Sequence, residues 1–141
     1  LHGVIGTVAA ILPALLAQGH GTIGIVSSVA GYGGLPKALV YGASKAALIN
    51  FAETLYLDLA PRGLGVALIN PGFVRTPLTD RNAFPMPYLI SADEAAAEIV
   101  AGLERGDFEI HFPRAFSRRL KLLRLLPYRW YFAIVRKATG I

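Results

Sequence analysis

Cysteine is absent from the 141 residues. That excludes a disulfide framework, a zinc–thiolate site and a cysteine nucleophile, and it leaves the redox compartment open. Charge is sparse: charged residues make up 16% against 54% hydrophobic, a balance that excludes intrinsic disorder. No basic segment precedes an apolar stretch, so no signal peptide is read. The most apolar stretch, Gly3 to Ala17, is roughly 15 residues, short of the ~20 that a membrane span needs. It holds several small residues and Pro13, and is expected to be a helix buried between a sheet and a partner. Acidic residues are missing after Glu109. Residues 1–109 carry six Lys and Arg against nine Asp and Glu, while residues 110–141 carry eight and no acid. His2, His20 and His111 fall on separate elements without i,i+4 partners, so no metal site is expected.

What is present alternates between two periods. Residues 1–18 read as a helix, apolar almost all round, ended by Gly19 and Gly21. Thr22 to Val26 is a β-branched run, expected to be a strand buried on both faces. Ser27 to Pro36 is a loop rich in glycine. From Leu39 to Ala60, Ala43, Ala47, Phe51, Leu55 and Leu59 recur at helical spacing. Val66 to Ile69 reads as a second buried strand, broken by Asn70-Pro71-Gly72. Residues 73–90 hold three prolines and no clear period, as an irregular lid would. Ser91 and Glu94 form a capping-box pattern for a helix to about Arg105. Phe108 to Phe112 is a third strand, closed by Pro113. Strands alternating with helices predict a parallel sheet covered on both faces. Three strands are few for such a sheet, which points to a piece of a larger α/β domain.

One set of side chains carries chemistry. Ser28 stands at the end of the first strand, where parallel sheets place binding groups. Tyr41 follows at the start of the long helix, and Lys45 lies one turn on, on the same face. A phenol with an ordinary pKa near 10 is no base at neutral pH, and a neighbouring ammonium favours its phenolate. With a serine hydroxyl to hold an oxygen, the three can move a proton to or from it. A Tyr and a Lys four apart are a common coincidence. The added serine at a strand end and the later strand–Pro–Gly unit are what make the set specific.

The stretches Ile25-Val26-Ser27-Ser28-Val29-Ala30-Gly31, Tyr41-Gly42-Ala43-Ser44-Lys45 and Asn70-Pro71-Gly72-Phe73-Val74-Arg75-Thr76 resemble the short-chain dehydrogenase/reductase family over nearly all of residues 1–112. The resemblance implies an α/β fold: the C-terminal part of a Rossmann-like, doubly wound parallel sheet. It implies an oxidoreductase that interconverts an alcohol and a carbonyl with NAD or NADP, NADP slightly favoured. In it Ser28 would orient the substrate oxygen, and Tyr41 would be the general acid/base and one of the residues that contact the cofactor. Lys45 would bind the nicotinamide ribose and lower the Tyr41 pKa. Pro71, Gly72, Val74 and Thr76 would line the nicotinamide, with the Val74 backbone at its carboxamide. Gly72 would let the backbone approach a ligand closely. The Gly-rich phosphate turn of that family has no counterpart here, so residues 1–112 read as the C-terminal half without the nucleotide-binding half, and this piece alone is expected to be inactive. The helices 1–18 and 39–60 would pair across a two-fold axis in a dimer or tetramer. A non-catalytic membrane- or partner-binding module that keeps the fold is the alternative.

Two segments flank this set. Phe84, Met86 and Tyr88, between Leu78 and Leu89, suit a hydrophobic substrate or plain core packing, whereas Arg75 and Arg81 would favour an acidic group. Residues 113–141 read as a basic amphipathic helical extension. Arg114, Arg118, Lys121 and Arg124 fall on one arc, and Phe116, Leu120, Leu123 and Leu126 on the opposite one. Tyr128, Trp130, Tyr131 and Phe132 follow Pro127. This pattern suits peripheral contact with an anionic membrane, a cover on the cleft, or a partner subunit. No nucleic-acid-binding motif accompanies the charge. The expected location is the cytoplasm or a membrane surface facing it.

Overall fold

The computed structural model describes residues 1–77, 79 and 86–140. Three parallel strands, β1 (Thr22–Val26), β2 (Gly65–Pro71) and β3 (Glu109–Phe112), form one sheet in the order β1-β2-β3. Five α-helices accompany them: α1 (His2–Gln18), α2 (Leu39–Leu59), α3 (Ala92–Glu104), α4 (Arg114–Arg124) and α5 (Tyr128–Thr139). The pairing runs Ile25↔Leu68 and Val26↔Ile69 on one side of β2, and Ile69↔Ile110 and Asn70↔His111 on the other. This is the expected α/β architecture with basic C-terminal helices.

Side-chain alternation along β2 divides the core. Val66 and Leu68 join Ile23, Ile25, Val8 of α1 and Leu48, Ala52 and Leu55 of α2 on one face. Ala67 and Ile69 join Ile110, Phe112 and Ala95 of α3 on the other. Each large aliphatic side chain fully buried there contributes about 1.5–3 kcal/mol. Ser91 caps α3 by accepting from the Glu94 N–H at 3.1 Å, and Glu94 Oε2 accepts from the Ser91 N–H at 2.7 Å.

Three expectations need correction. β1 is buried on one face only: Ile23 and Ile25 point inward, while Thr22, Gly24 and Val26 are exposed. It is the sheet edge, and no described helix covers its second face. β2 does not break at Asn70, which is fully buried, but continues through Pro71. Gly72 donates to Phe112 at 2.7 Å, so by alternation the Pro71 nitrogen faces the β1 side. The β1 ladder has already ended there at the Val26–Ile69 pair, and no donor is needed. On α2 the buried stripe is Leu48, Ala52, Leu55 and Leu59, whereas Ala43 is exposed and Ala47 and Phe51 are half-buried. On α1, Val8 is fully buried on the sheet side, with Val4, Leu12, Leu15 and Leu16 packed beside it, and Ile5 and Ile11 are exposed.

The tail helices lie against the body. Phe116 of α4 stacks on Phe73 and on Tyr88, with ring centroids 5.9 and 5.7 Å apart. Tyr131 and Val135 of α5 are buried. The arcs read from the wheel are therefore divided differently. Phe116, Leu120 and Leu123 turn partly inward and Lys121 is paired inside, but Leu122, Leu125 and Trp130 are exposed. No helix among the described residues is long and apolar enough to cross a membrane. Arg81 and Phe84 lie outside the described residues.

Candidate active site

The strand β1 delivers Ser27 and Ser28 to the carboxyl end of the sheet. Ser27 is held there on two sides, its N–H donating to Ile69 O at 2.8 Å and its hydroxyl to Lys45 O at 2.8 Å. Ser28 then caps a short 3-10 turn, Val29–Gly31, in extended conformation. Its hydroxyl accepts from the Ala30 N–H at 3.2 Å and donates to Pro71 O at 3.3 Å. The first is at the upper end for an N–H donor, and the second is long for a hydroxyl donor. The Ser28 proton is thus lightly held and can be redirected to an incoming oxygen.

Gly31 brings this turn against α2. A Cβ there would stand 2.8 Å from the Lys45 carbonyl carbon and 2.9 Å from the Ala46 nitrogen. Only glycine permits that approach. Lys45 stretches from the same point of α2 back to the strand end, where its ammonium donates to Val26 O at 3.2 Å. The ammonium also lies over the Tyr41 ring, 5.6 Å from the centroid, within cation–π reach. The Tyr41 ring is 53% exposed, and no described residue hydrogen-bonds its hydroxyl. Lys45 therefore reaches the end of β1 at Val26 and Ser27, the two residues before Ser28, and Tyr41 stands one helical turn away, more than half exposed.

The stretch after β2 is arranged less simply. Pro71 gives its carbonyl to Ser28. At Gly72 the close neighbours are the chain's own: a Cβ would stand 3.1 Å from Pro113 Cδ and 3.2 Å from both Phe112 O and Phe116 Cδ1. The glycine admits the β3–α4 junction, a contact that the sequence does not indicate. Val74 and Ile90 form an isolated parallel bridge, with Arg75 N donating to Ile90 O at 2.8 Å. Val74 O accepts from the Thr79 hydroxyl at 2.8 Å, while its N–H has no acceptor among the described residues. The Thr76 N–H donates to Thr79 Oγ1 at 2.8 Å, and the two hydroxyls stand 3.3 Å apart. Thr79 was missed in the sequence, where only a Thr-x-x-Thr spacing marks it.

A second group of polar residues was also missed. Glu109, Tyr32, Asn70 and Lys121 form one network on the α2 face of the sheet. Their signal is slight: a strand reading Glu-Ile-His-Phe places two polar side chains on a face that something must cover. His111 Nδ1 lies 2.6 Å from the Ser117 hydroxyl, and Ser117 is fully buried in α4. Burial, then the positive charge of Lys121, holds the His111 pKa below the ordinary value, so the ring is neutral at neutral pH. No group of three His, Cys, Asp or Glu is placed to hold a metal among the described residues.

Comparison with known proteins follows this geometry. Residues 1–84 match the short chain dehydrogenase family. An uncharacterized oxidoreductase of Myxococcus xanthus is 38% identical over 135 residues, 96% of this chain and 53% of that protein. The 3-oxoacyl-[acyl-carrier-protein] reductase FabG of Thermotoga maritima is 38% identical over 81 residues, 57% of this chain and 33% of its own length. A short chain dehydrogenase from Burkholderia cenocepacia, solved in complex with NADP, superposes with TM-score 0.82 at 28% identity, covering 96% of this chain and 55% of that one. One from Burkholderia phymatum, in complex with NAD, gives 0.75 at 26% identity over 86% and 53%. The chain spans about half the length of these relatives or less.

Proposed function

The chain belongs to the short-chain dehydrogenase/reductase family, and on that premise we propose that it supplies the catalytic half of an NAD(P)-dependent oxidoreductase acting on an alcohol or carbonyl. The observation that carries this reading is the Lys45 ammonium, anchored on the end of β1 and lying over Tyr41, beside a lightly held Ser28 hydroxyl. The residues present fit a nicotinamide nucleotide. Lys45 spends one of its three donors on Val26 O and keeps two for the vicinal hydroxyls of a ribose. The Val74 N–H suits a carboxamide oxygen, beside Pro71, Gly72 and Thr76. When bound, a reduced nicotinamide supplies a hydride to the carbonyl carbon.

The chain's own residues do the rest. Ser28 Oγ turns its proton from Pro71 O to the substrate oxygen and fixes it. Tyr41 Oη gives its proton to that oxygen as the carbon is reduced, so carbonyl becomes alcohol. Lys45, fixed at Val26 O, keeps a positive charge beside the phenolate left behind. The reverse direction uses Tyr41 as the base. Phe73 and Tyr88, both stacked on Phe116 next to Gly72, make an aromatic cluster that suits a hydrophobic carbonyl compound, with the Arg119 guanidinium over the Tyr88 ring. Loss of nicotinamide absorbance with a hydrophobic ketone in the full-length protein tests the activity.

Two surfaces bear on partners. On α1, Ile5 and Ile11 are exposed, and on α2, Leu39, Val40 and Leu57. Helix pairing across a two-fold axis would cover them, so light scattering at micromolar concentration is expected to give a dimer or tetramer; a monomer contradicts it. On the tail, Leu122, Leu125 and Trp130 are exposed among Arg118, Arg129, Arg136 and Lys137. Each cation near an anionic leaflet is worth about 1 kcal/mol. The protein is expected to float with phosphatidylserine vesicles at low salt and not after deletion of 113–141. Failure of the intact protein to float makes the tail a structural cover.

A further inference from the structure

Glu109 opens β3 with its half-buried carboxylate on the α2 face. One oxygen accepts from the Tyr32 hydroxyl at 2.6 Å and from Asn70 Nδ2 at 2.8 Å. The other accepts from the Lys121 ammonium of α4. Lys121 also lies over the Tyr32 ring, 5.4 Å from its centroid. Burial opposes the charge on Glu109, but the bonds from Lys121, Tyr32 and Asn70 outweigh it and hold the carboxyl below its ordinary pKa. Burial, then the bond to Glu109 and its charge, pushes the Tyr32 phenol up, so Tyr32 is a donor throughout the physiological range.

Tyr32 is the residue that closes the 3-10 turn begun at Ser28, its N–H donating to Val29 O at 3.2 Å. Two residues on, Gly34 O accepts from the hydroxyl of buried Tyr131 in α5 at 2.9 Å. The segment that starts with Ser28 is therefore pinned at its far end by groups from β3, α4 and α5. Its near end is fixed at the backbone by Ser27, which bonds Ile69 O and Lys45 O at 2.8 Å, while the Ser28 hydroxyl itself is held only by bonds of 3.2 and 3.3 Å. A serine that must stay free to bind substrate cannot be anchored by its own hydroxyl. The short, charge-assisted bonds four residues away can hold it instead.

We propose that Glu109, acting through Tyr32, is a positioning residue for Ser28, and that α4 and α5 set the placement of that hydroxyl through Lys121 and Tyr131. This rests on reading Ser28 as the group that holds the substrate oxygen. Small displacements of a reacting group are costly: about 1 Å of misplacement can cost 10²-fold in rate.

Tyr32→Phe and Glu109→Gln, which keep ring and size, test it in the full-length protein. Three quantities are read: kcat with a carbonyl substrate, nucleotide affinity by fluorescence, and amide exchange at Ala30, Gly31 and Tyr32. The Ala30 amide reports directly, since it donates to the Ser28 hydroxyl. In each variant kcat is expected to fall about tenfold or more while nucleotide affinity holds, because a bond to a charged group is lost at a distance from the nucleotide. Exchange at the three amides is expected to rise about tenfold. Unchanged kcat and unchanged exchange, with only a lowered thermal midpoint, would overturn the proposal and leave a purely structural cluster. If wild type turns over no carbonyl compound, the proposed activity falls. The exchange arm then decides alone: faster exchange supports the positioning of the Ser28 turn, and unchanged exchange refutes it.

Discussion

Tyr41→Phe in the full-length protein is expected to lower kcat by about 10²–10⁴-fold, the range that a positioned proton donor contributes. The substitution removes one oxygen. The ring is half exposed and its hydroxyl bonds no described residue, so neither core packing nor a buried hydrogen bond is lost. The cation–π contact with Lys45 survives, because it needs only the ring face. Thermal stability and nucleotide affinity should therefore stay close to wild type, and the loss should fall on turnover. Steady-state kinetics alongside a melting curve separate these. Near-normal kcat would remove Tyr41 from the chemistry.

Lys45→Met is expected to have a broader effect. Methionine keeps the length and most of the apolar stem but loses the ammonium, and with it the bond to Val26 O and the charge over Tyr41. Two donors proposed for the ribose hydroxyls go as well. Losing a charge-assisted pair of bonds predicts about a tenfold or greater loss of nucleotide affinity, together with a fall in kcat of about 10²-fold. The Ser27 hydroxyl still bonds the residue 45 carbonyl, so the β1–α2 junction remains. Fluorescence titration with reduced nucleotide reads affinity separately from rate. Unchanged affinity with a low kcat would restrict Lys45 to the electrostatic role.

The two substitutions also show what could be read beforehand. Tyr41 and Lys45 are local: one helical turn relates them, and the helix follows from its own pattern. The Ser91–Glu94 cap is local in the same way. Where the outcome depended on a distant partner, local pattern failed. On helix α2 the expected stripe Ala43-Ala47-Phe51-Leu55-Leu59 is buried at Leu55 and Leu59, whereas earlier in the helix Leu48 and Ala52 are buried instead, because periodicity alone cannot say which side meets the sheet. That choice is made by β1 and β2. Glu109 and Tyr32 are 77 residues apart, and Lys121 comes from a segment that reads by itself as a solvated cationic face. The close packing of Gly72 on Pro113 joins segments far apart in the chain and has no local signal.

One stoichiometry tests the roles of Ser28, Tyr41 and Lys45 most directly. The full-length protein is mixed with limiting reduced nicotinamide nucleotide and an excess of hydrophobic ketone, and nucleotide consumption and alcohol formation are followed together. One alcohol formed per reduced nucleotide consumed is the predicted result. Absence of both, with nucleotide fluorescence unaltered by the protein, would contradict the assignment of Ser28, Tyr41 and Lys45 to hydride-coupled proton transfer.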